Sequence, residues 1–276
     1  GTHPDFPFCT VVQDGNFCYT DPYPSNEQLT EYYNSTYRAV RQEAPTSDYL
    51  KFMRARAKVQ AEFIRQGSGK TRFATVLDIG SGCGTLLAEL QNDADHLEGW
   101  EPDVAMSQYA NDHFATTKIK FTNDLFIPGK TEQKFDLITM SHVLEHVPHP
   151  GDFLAKLRTH HLAEGGLIFI EVPNDPAWRV RIQIEKVFKG LGHVNYFTNI
   201  SLEHSLISAG YHTLSSRTCG TDINNFVKQR LSPEALLSKI FRRLRIPVKA
   251  HTPNYISHSG YTKGIYLQQL ALSSVV

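Results

Sequence analysis

The stretch Val76-Leu77-Asp78-Ile79-Gly80-Ser81-Gly82-Cys83-Gly84 constrains this chain more than any other. An apolar run meets three glycines at alternate positions, and Thr85-Leu86-Leu87 then opens a helical pattern. A strand that turns sharply into a helix needs residues without a Cβ, both to take positive φ and to let another group approach backbone amides. Strand, glycine turn and helix in that order make the first βα unit of an open parallel sheet, where ligands bind over the carboxyl ends of the strands. A dinucleotide turn wants Gly-x-Gly-x-x-Gly, yet the sixth position counted from Gly80 is Thr85. The spacing argues against NAD, and an NAD-dependent oxidoreductase is kept only as an alternative.

Downstream, short apolar runs alternate with helical stretches. Strands are predicted near 75–79, 97–101, 119–121, 135–140 and 167–172, with a sixth opening at Gly210-Tyr211 and a last over 264–272. Helices are predicted near 85–91, 103–114, 151–162 and 201–209. A further amphipathic helix runs from Ser47-Asp48 to the stop at Gly67-Ser68-Gly69. The expected fold is α/β, a doubly wound Rossmann-like seven-stranded sheet with an antiparallel C-terminal strand. Residues 1–47 read as an irregular N-terminal arm or lid with a short helix near 27–33, and 48–276 as the main domain. Within it, 220–260 reads as a substrate-side insertion carrying a helical lid.

Charge narrows the partners. Lys+Arg and Asp+Glu both total 28, so no net field draws the chain to nucleic acid, and a small-molecule acceptor is the default. Four cysteines without a disulfide framework, no apolar run near eighteen residues and no signal-peptide pattern give a cytoplasmic expectation. Locally, residues 228–249 carry seven cations against Glu234, with apolar residues at helical spacing. The basic helix over 232–245 reads either as a solvated surface helix or as a lid for an anionic acceptor or a membrane surface.

Several residues are candidates for chemistry. Glu101 ends the second strand, where a carboxylate can accept from both hydroxyls of a ribose, and Pro102 shapes the wall beside it. Asn123-Asp124-Leu125 follow the third strand and suit the amino group and face of an adenine. Ser141 closes the fourth strand as a further cofactor contact. Beyond it comes His142-x-x-Glu145-His146, with His149 close by and His193 after the fifth strand. Imidazole accepts a proton at neutral pH, so His142, His146 and His193 with Glu145 can serve as a base; the same set can hold a divalent metal, which is not favoured, or merely cap the loop. Tyr32, Tyr33, Tyr37 and Tyr196 are candidates to flank an acceptor, or simply pack.

Taken together, the glycine turn, Glu101-Pro102, Phe135-Asp136-Leu137-Ile138 and Gly165-Gly166-Leu167-Ile168 resemble the successive motifs of class I S-adenosylmethionine (SAM) dependent methyltransferases. Val143-Leu144-Glu145-His146-Val147-Pro148-His149-Pro150, Val172-Pro173-Asn174 and His193-Val194-Asn195-Tyr196-Phe197-Thr198 resemble the branch holding ubiquinone-pathway O-methyltransferases and tailoring or sugar methyltransferases. The resemblance implies SAM as cofactor. Asp78, Gly80, Ser81, Gly82, Cys83 and Gly84 would then border its methionine part, Glu101 its ribose, and Asn123, Asp124 and Leu125 its adenine. Relatives in that branch carry a zinc ribbon ahead of the fold; with only Cys9 and Cys18 in this arm, no zinc is expected. Small-RNA 2′-O-methyltransferases carry Glu-x-x-Glu-His plus a later His as metal ligands, and here His142 replaces their first Glu.

The resemblance makes the chain a SAM-dependent methyltransferase, acting on oxygen of a small-molecule, sugar or phosphate-bearing acceptor. A noncatalytic SAM-binding module and an RNA 2′-O-methyltransferase stand as alternatives. His146 and His193, both following strands that end at one sheet edge, are expected within reach of the transferred methyl.

Overall fold

In the computed structural model, which describes residues 1–33, 35, 45–185, 191–221, 255–257 and 266–275, the N-terminal arm is a small sheet. Thr10–Asp14 (β1) and Phe17–Asp21 (β2) form an antiparallel hairpin, and Asn195–Tyr196 (β8) pairs with β2 as a third strand. This corrects the irregular arm. Asp14-Gly15 between two β-rich runs is a hairpin signal, and Gly15 takes φ 55° there. A helix over Asn26–Tyr32 (α1) follows, its start fixed by a capping box between Ser25 and Gln28.

Ser47–Ser68 (α2), capped by Thr46 and ended by Gly69 at φ 61°, leads into the main sheet. Its strands are Phe73–Ile79 (β3), Ala94–Trp100 (β4), Ile119–Thr122 (β5), Phe135–Ser141 (β6), Leu162–Pro173 (β7), Tyr211–Thr221 (β9), Tyr255–Ser257 (β10) and Tyr266–Val275 (β11). They run in the order β10-β9-β11-β7-β6-β3-β4-β5. Strands β5, β4, β3, β6 and β7 are parallel, whereas β11 is antiparallel to both β7 and β9. The seven expected strands are present, and β10 adds a short edge pairing within the segment read as an insertion. The basic helix and Tyr37 lie outside the described residues.

Helices Thr85–Leu90 (α3), Val104–Phe114 (α4), Pro150–Lys156 (α5), Ala177–Glu185 (α6) and Asn199–Ser208 (α7) link the strands. The helix predicted over 151–162 changes to a π-helix at Leu157–His161, and α6 has no counterpart in the sequence reading. Side chains alternate across the sheet. Val76 joins Ile64, Leu87 and Phe169 on one face, and Leu77 joins Ile138, Met140 and Phe197 on the other. Among the described residues, no helix is long and apolar enough to cross a membrane. Since β3 runs on to β4 and β5 on one side while β6 and β7 lie on the other, the chain reverses between β3 and β6, and the crevice opens over their carboxyl ends.

Candidate active site

The glycine turn sits at that reversal. Gly80, Gly82 and Gly84 all take positive φ, at 70°, 54° and 75°. Their surroundings differ. A Cβ on Gly80 would lie 2.5 Å from Val143, and one on Gly84 would lie 2.7 Å from the Phe121 ring, whereas one on Gly82 would meet nothing within 4 Å. Gly80 and Gly84 therefore permit close packing, and Gly82 faces open space of the kind a ligand fills. Cys83 is buried beneath the turn, and the buried Ser81 hydroxyl lacks a hydrogen-bond partner among the described residues.

Glu101 closes this half. Its Oε2 accepts from Gly82 N–H and its Oε1 from Asp103 N–H, both at 2.8 Å, so one carboxylate ties the turn to the start of α4. Asn123 donates to the carbonyls of Glu101 and Pro102, Asp124 accepts from Leu125 N–H, and the Leu125 side chain is exposed beside them. Asp78 lies fully buried below, accepting from Thr139 Oγ at 2.6 Å. Burial pushes its carboxyl up to about 7, against the Thr139 bond.

On the other side of β3, Ser141 is consumed by a buried network. Arg56 donates to it at 2.6 Å and Gln60 at 2.8 Å, and it donates to Glu171 at 2.9 Å. Arg56 also pairs with Glu171 at 3.0 Å, and Gln60 bonds the same carboxylate. Despite its burial, the charges of Arg56 and His142 hold Glu171 below the usual carboxylate range. Ser141, expected as a cofactor contact, anchors α2 to the sheet through these bonds. The residues Arg56, Gln60 and Glu171 escaped the sequence reading, although a lone Glu within the apolar strand Leu167-Ile168-Phe169-Ile170-Glu171-Val172 was a visible signal.

His142, Glu145, His146 and His193 come together above β6 and β7. His142 takes φ 57°, an unusual conformation for a side-chain-bearing residue, and its amide donates to Glu171 O. Its Nδ1 lies 3.0 Å from Glu145 Oε1. Glu145 is 1% exposed, and among the described residues neither oxygen has a hydrogen bond of good geometry. Burial pushes this carboxyl up to about 7, while His146 opposes the shift. His146 Nδ1 lies 3.1 Å from Gly192 O, and its Nε2 lies 3.9 Å from Glu145 Oε1. The His146 and His193 rings are 4.9 Å apart at 76°. Ligand atoms of Glu145, His146 and His193 all lie within 4.8 Å of one another.

The tyrosines divide. Tyr33 meets the His146 ring at 5.9 Å. Tyr32 is buried among Phe6, Cys9, Leu29 and Val194, and Tyr196 among Val11, Cys18 and Val180, so both pack where an acceptor wall was expected. His149 stacks edge-on against Tyr23, away from the other histidines' contacts. Cys9 and Cys18 are free thiols in separate apolar clusters.

A family profile described as "Methyltransferase domain" matches residues 40–216. The ubiquinone biosynthesis O-methyltransferase of Serratia proteamaculans (strain 568) is 26% identical over 133 residues, 45% of this chain and 54% of that protein. The match thus spans about half of that curated relative's length. Among solved structures, magnesium protoporphyrin IX methyltransferase from Synechocystis PCC 6803, with bound S-adenosylhomocysteine, superposes with a TM-score of 0.56 at 12% identity, covering 91% of this chain and 100% of that one. A SAM-dependent methyltransferase from Leishmania major gives 0.52 at 13%, covering 90% and 82%. These two likenesses bear on the fold. With the profile covering more than half of the sequence, the glycine turn at the sheet reversal and the strand order all agreeing, the chain belongs to the methyltransferase-domain family of class I, SAM-dependent enzymes.

Proposed function

We propose that this chain transfers the SAM methyl group to an oxygen of a small-molecule acceptor held at the histidine cluster. One observation carries the reading: His142, His146 and His193 gather about the buried Glu145 carboxylate, with ligand atoms of Glu145, His146 and His193 all within 4.8 Å of one another. SAM supplies a methyl already made electrophilic by its sulfonium. Gly82 and Glu101 hold the methionine and ribose parts, and Leu125 covers the adenine. Held there, SAM would supply the electrophilic methyl, and the histidine cluster would orient the acceptor oxygen and take up its proton. The protein's main contribution is alignment and exclusion of water, with proton acceptance an addition of secondary size. The neutral balance of charges and the sequence likeness to a ubiquinone-pathway enzyme support a small acceptor, sugar-linked or anionic, over nucleic acid.

A second reading of the same cluster has its own observation: a buried carboxylate whose oxygens lack good hydrogen bonds is the environment of a cation ligand. Glu145, His146 and His193 would hold a divalent ion, which would lower the pKa of the acceptor hydroxyl.

Replacing His146 or His193 by Ala should lower kcat about 100-fold or more while SAM affinity stays within about twofold. Loss of activity to a chelator, restored by added divalent ion, selects the cation; indifference selects the His base. Full turnover in both variants on an accepted acceptor would remove the assignment.

A further inference from the structure

The loop 192–196 delivers His193 to the cluster, yet it has almost no regular structure of its own. It is gripped from both sides. From the sheet side, Val194 N–H donates to Glu145 O at 2.9 Å, Gly192 O receives His146 Nδ1, and Asn195 Nδ2 donates to Val147 O at 2.7 Å. From the opposite side hydrogen bonds come from the N-terminal residues: Asp5 Oδ2 accepts from Gly192 N–H at 2.9 Å, Thr20 N–H donates to Val194 O at 2.9 Å, and Tyr23 OH donates to Asn195 Oδ1 at 2.7 Å.

The backbone of His193 itself is held by His3. This side chain is 2% exposed. Its Nδ1 accepts from the amides of Asp5 and Phe6, both at 3.0 Å, so that nitrogen carries no proton. Nε2 must then carry it, and it lies 2.8 Å from His193 O and 3.1 Å from Tyr196 Oη. The single N–H points at the backbone of the reactive histidine, and the tautomer is settled by the turn at residues 3–6. Burial lowers the His3 pKa, opposed by the His193 carbonyl, so the ring stays neutral under ordinary conditions.

We infer that His3 is a positioning residue for methyl transfer, holding His193 in the cluster through the His193 carbonyl, and that the N-terminal arm is thereby part of the acceptor half of the active site. The inference rests on the reading of His193 given above. The effect of His3 on the cluster passes through one carbonyl and one hydroxyl. A displacement of about 1 Å at a reacting group costs on the order of 100-fold in rate, so the loss of this hold is visible in turnover.

Three variants separate the two ring nitrogens, tested in the full chain with Gln13→Ala, an exposed hairpin position, as the control. His3→Gln keeps an amide N–H near the place of Nε2 and gives up the Nδ1 acceptor; His3→Asn keeps an acceptor near Nδ1 and gives up the reach to His193; His3→Ala loses both. The expected result is kcat down about tenfold or more for Ala and Asn, recovery to within about threefold of wild type for Gln, and a SAM dissociation constant unchanged in all three. A His193 ring NMR signal displaced in the Asn variant and restored in the Gln variant is the accompanying structural readout. Wild-type turnover in His3→Asn, or an undisplaced His193 signal, overturns the inference and leaves His3 as a turn residue. If the Ala variant does not fold, the Asn and Gln pair still decides. Full turnover in His193→Ala instead removes the reading on which the inference rests, an outcome distinct from loss in His193→Ala with full turnover in His3→Asn.

Discussion

The cofactor half and the acceptor half of this site meet at β3 and β6 but are built differently. In the cofactor half, Glu101 reaches Gly82 across 19 positions of sequence, and Asn123 reaches Glu101 across 22. Each contact spans one βα unit. In the acceptor half, His146 meets Gly192 across 46 positions and His3 meets His193 across 190. The first is preorganised by consecutive strands; the second exists only when the fold is complete. Binding and turnover should therefore come apart under mutation, and the His146→Ala and His193→Ala losses in kcat at constant SAM affinity are the largest effect of this kind.

This difference also explains what was legible in the sequence. Asp78, Gly80, Gly82, Gly84 and Glu101 were placed because strand periodicity and turn chemistry are local properties. Glu145, His146 and His193 were brought together only by assuming that their strands end at one edge, which the observed β6-β7 pairing supplies. His3 and Asp5 carried no signal, since nothing in an N-terminal Thr-His-Pro-Asp says which loop will fold over it. The partners of Ser141 were illegible for a related reason: Arg56 and Gln60 come from α2, a helix whose buried polar face looked like the ordinary flank of an amphipathic pattern.

Gly80 is the seam between the halves. Its missing Cβ accommodates Val143, the neighbour of His142, and its φ of 70° is strained for any other residue. Gly80→Ala should destabilise the chain by about 2 kcal/mol or more and lower both SAM affinity and kcat, because the clash and the backbone strain add. Gly82→Ala, with open space around its Cβ, should cost only the backbone strain, about 1 kcal/mol, and express itself mainly as weaker SAM binding. Thermal unfolding alongside SAM calorimetry checks the pair. Equal losses of stability would deny that the two glycines serve different neighbours.

Glu101→Ala is the converse of the histidine variants. Removing a carboxylate that accepts two backbone N–H bonds and is assigned two ribose hydroxyls should raise the SAM dissociation constant about 10- to 100-fold, since hydrogen bonds to charged groups are worth about 1.5–3 kcal/mol. At saturating SAM, kcat should fall much less. Unchanged SAM affinity would take the ribose role away from Glu101 without touching the family assignment.

The smallest effect concerns Asp78, whose carboxyl burial raises to about 7. In the unfolded chain this group ionises near the ordinary aspartate value, so between there and neutrality the folded state binds more protons. Stability without cofactor should accordingly decline as pH rises through that window, the opposite of a salt-bridged carboxylate. A cationic sulfonium and ammonium placed over the glycine turn favour the ionised form, which lowers the Asp78 pKa and expels its proton on binding. At pH 7 SAM binding should then release up to about half a proton, seen as a calorimetric enthalpy that changes with the ionisation enthalpy of the buffer. SAM affinity should rise with pH across the same range. Asp78→Asn removes both dependences while leaving Thr139 a side-chain oxygen to bond. A wild-type enthalpy independent of buffer, or the same dependence in Asp78→Asn, would place the cofactor's charge away from Asp78 and leave that residue as a buried strand-end group held by Thr139 alone.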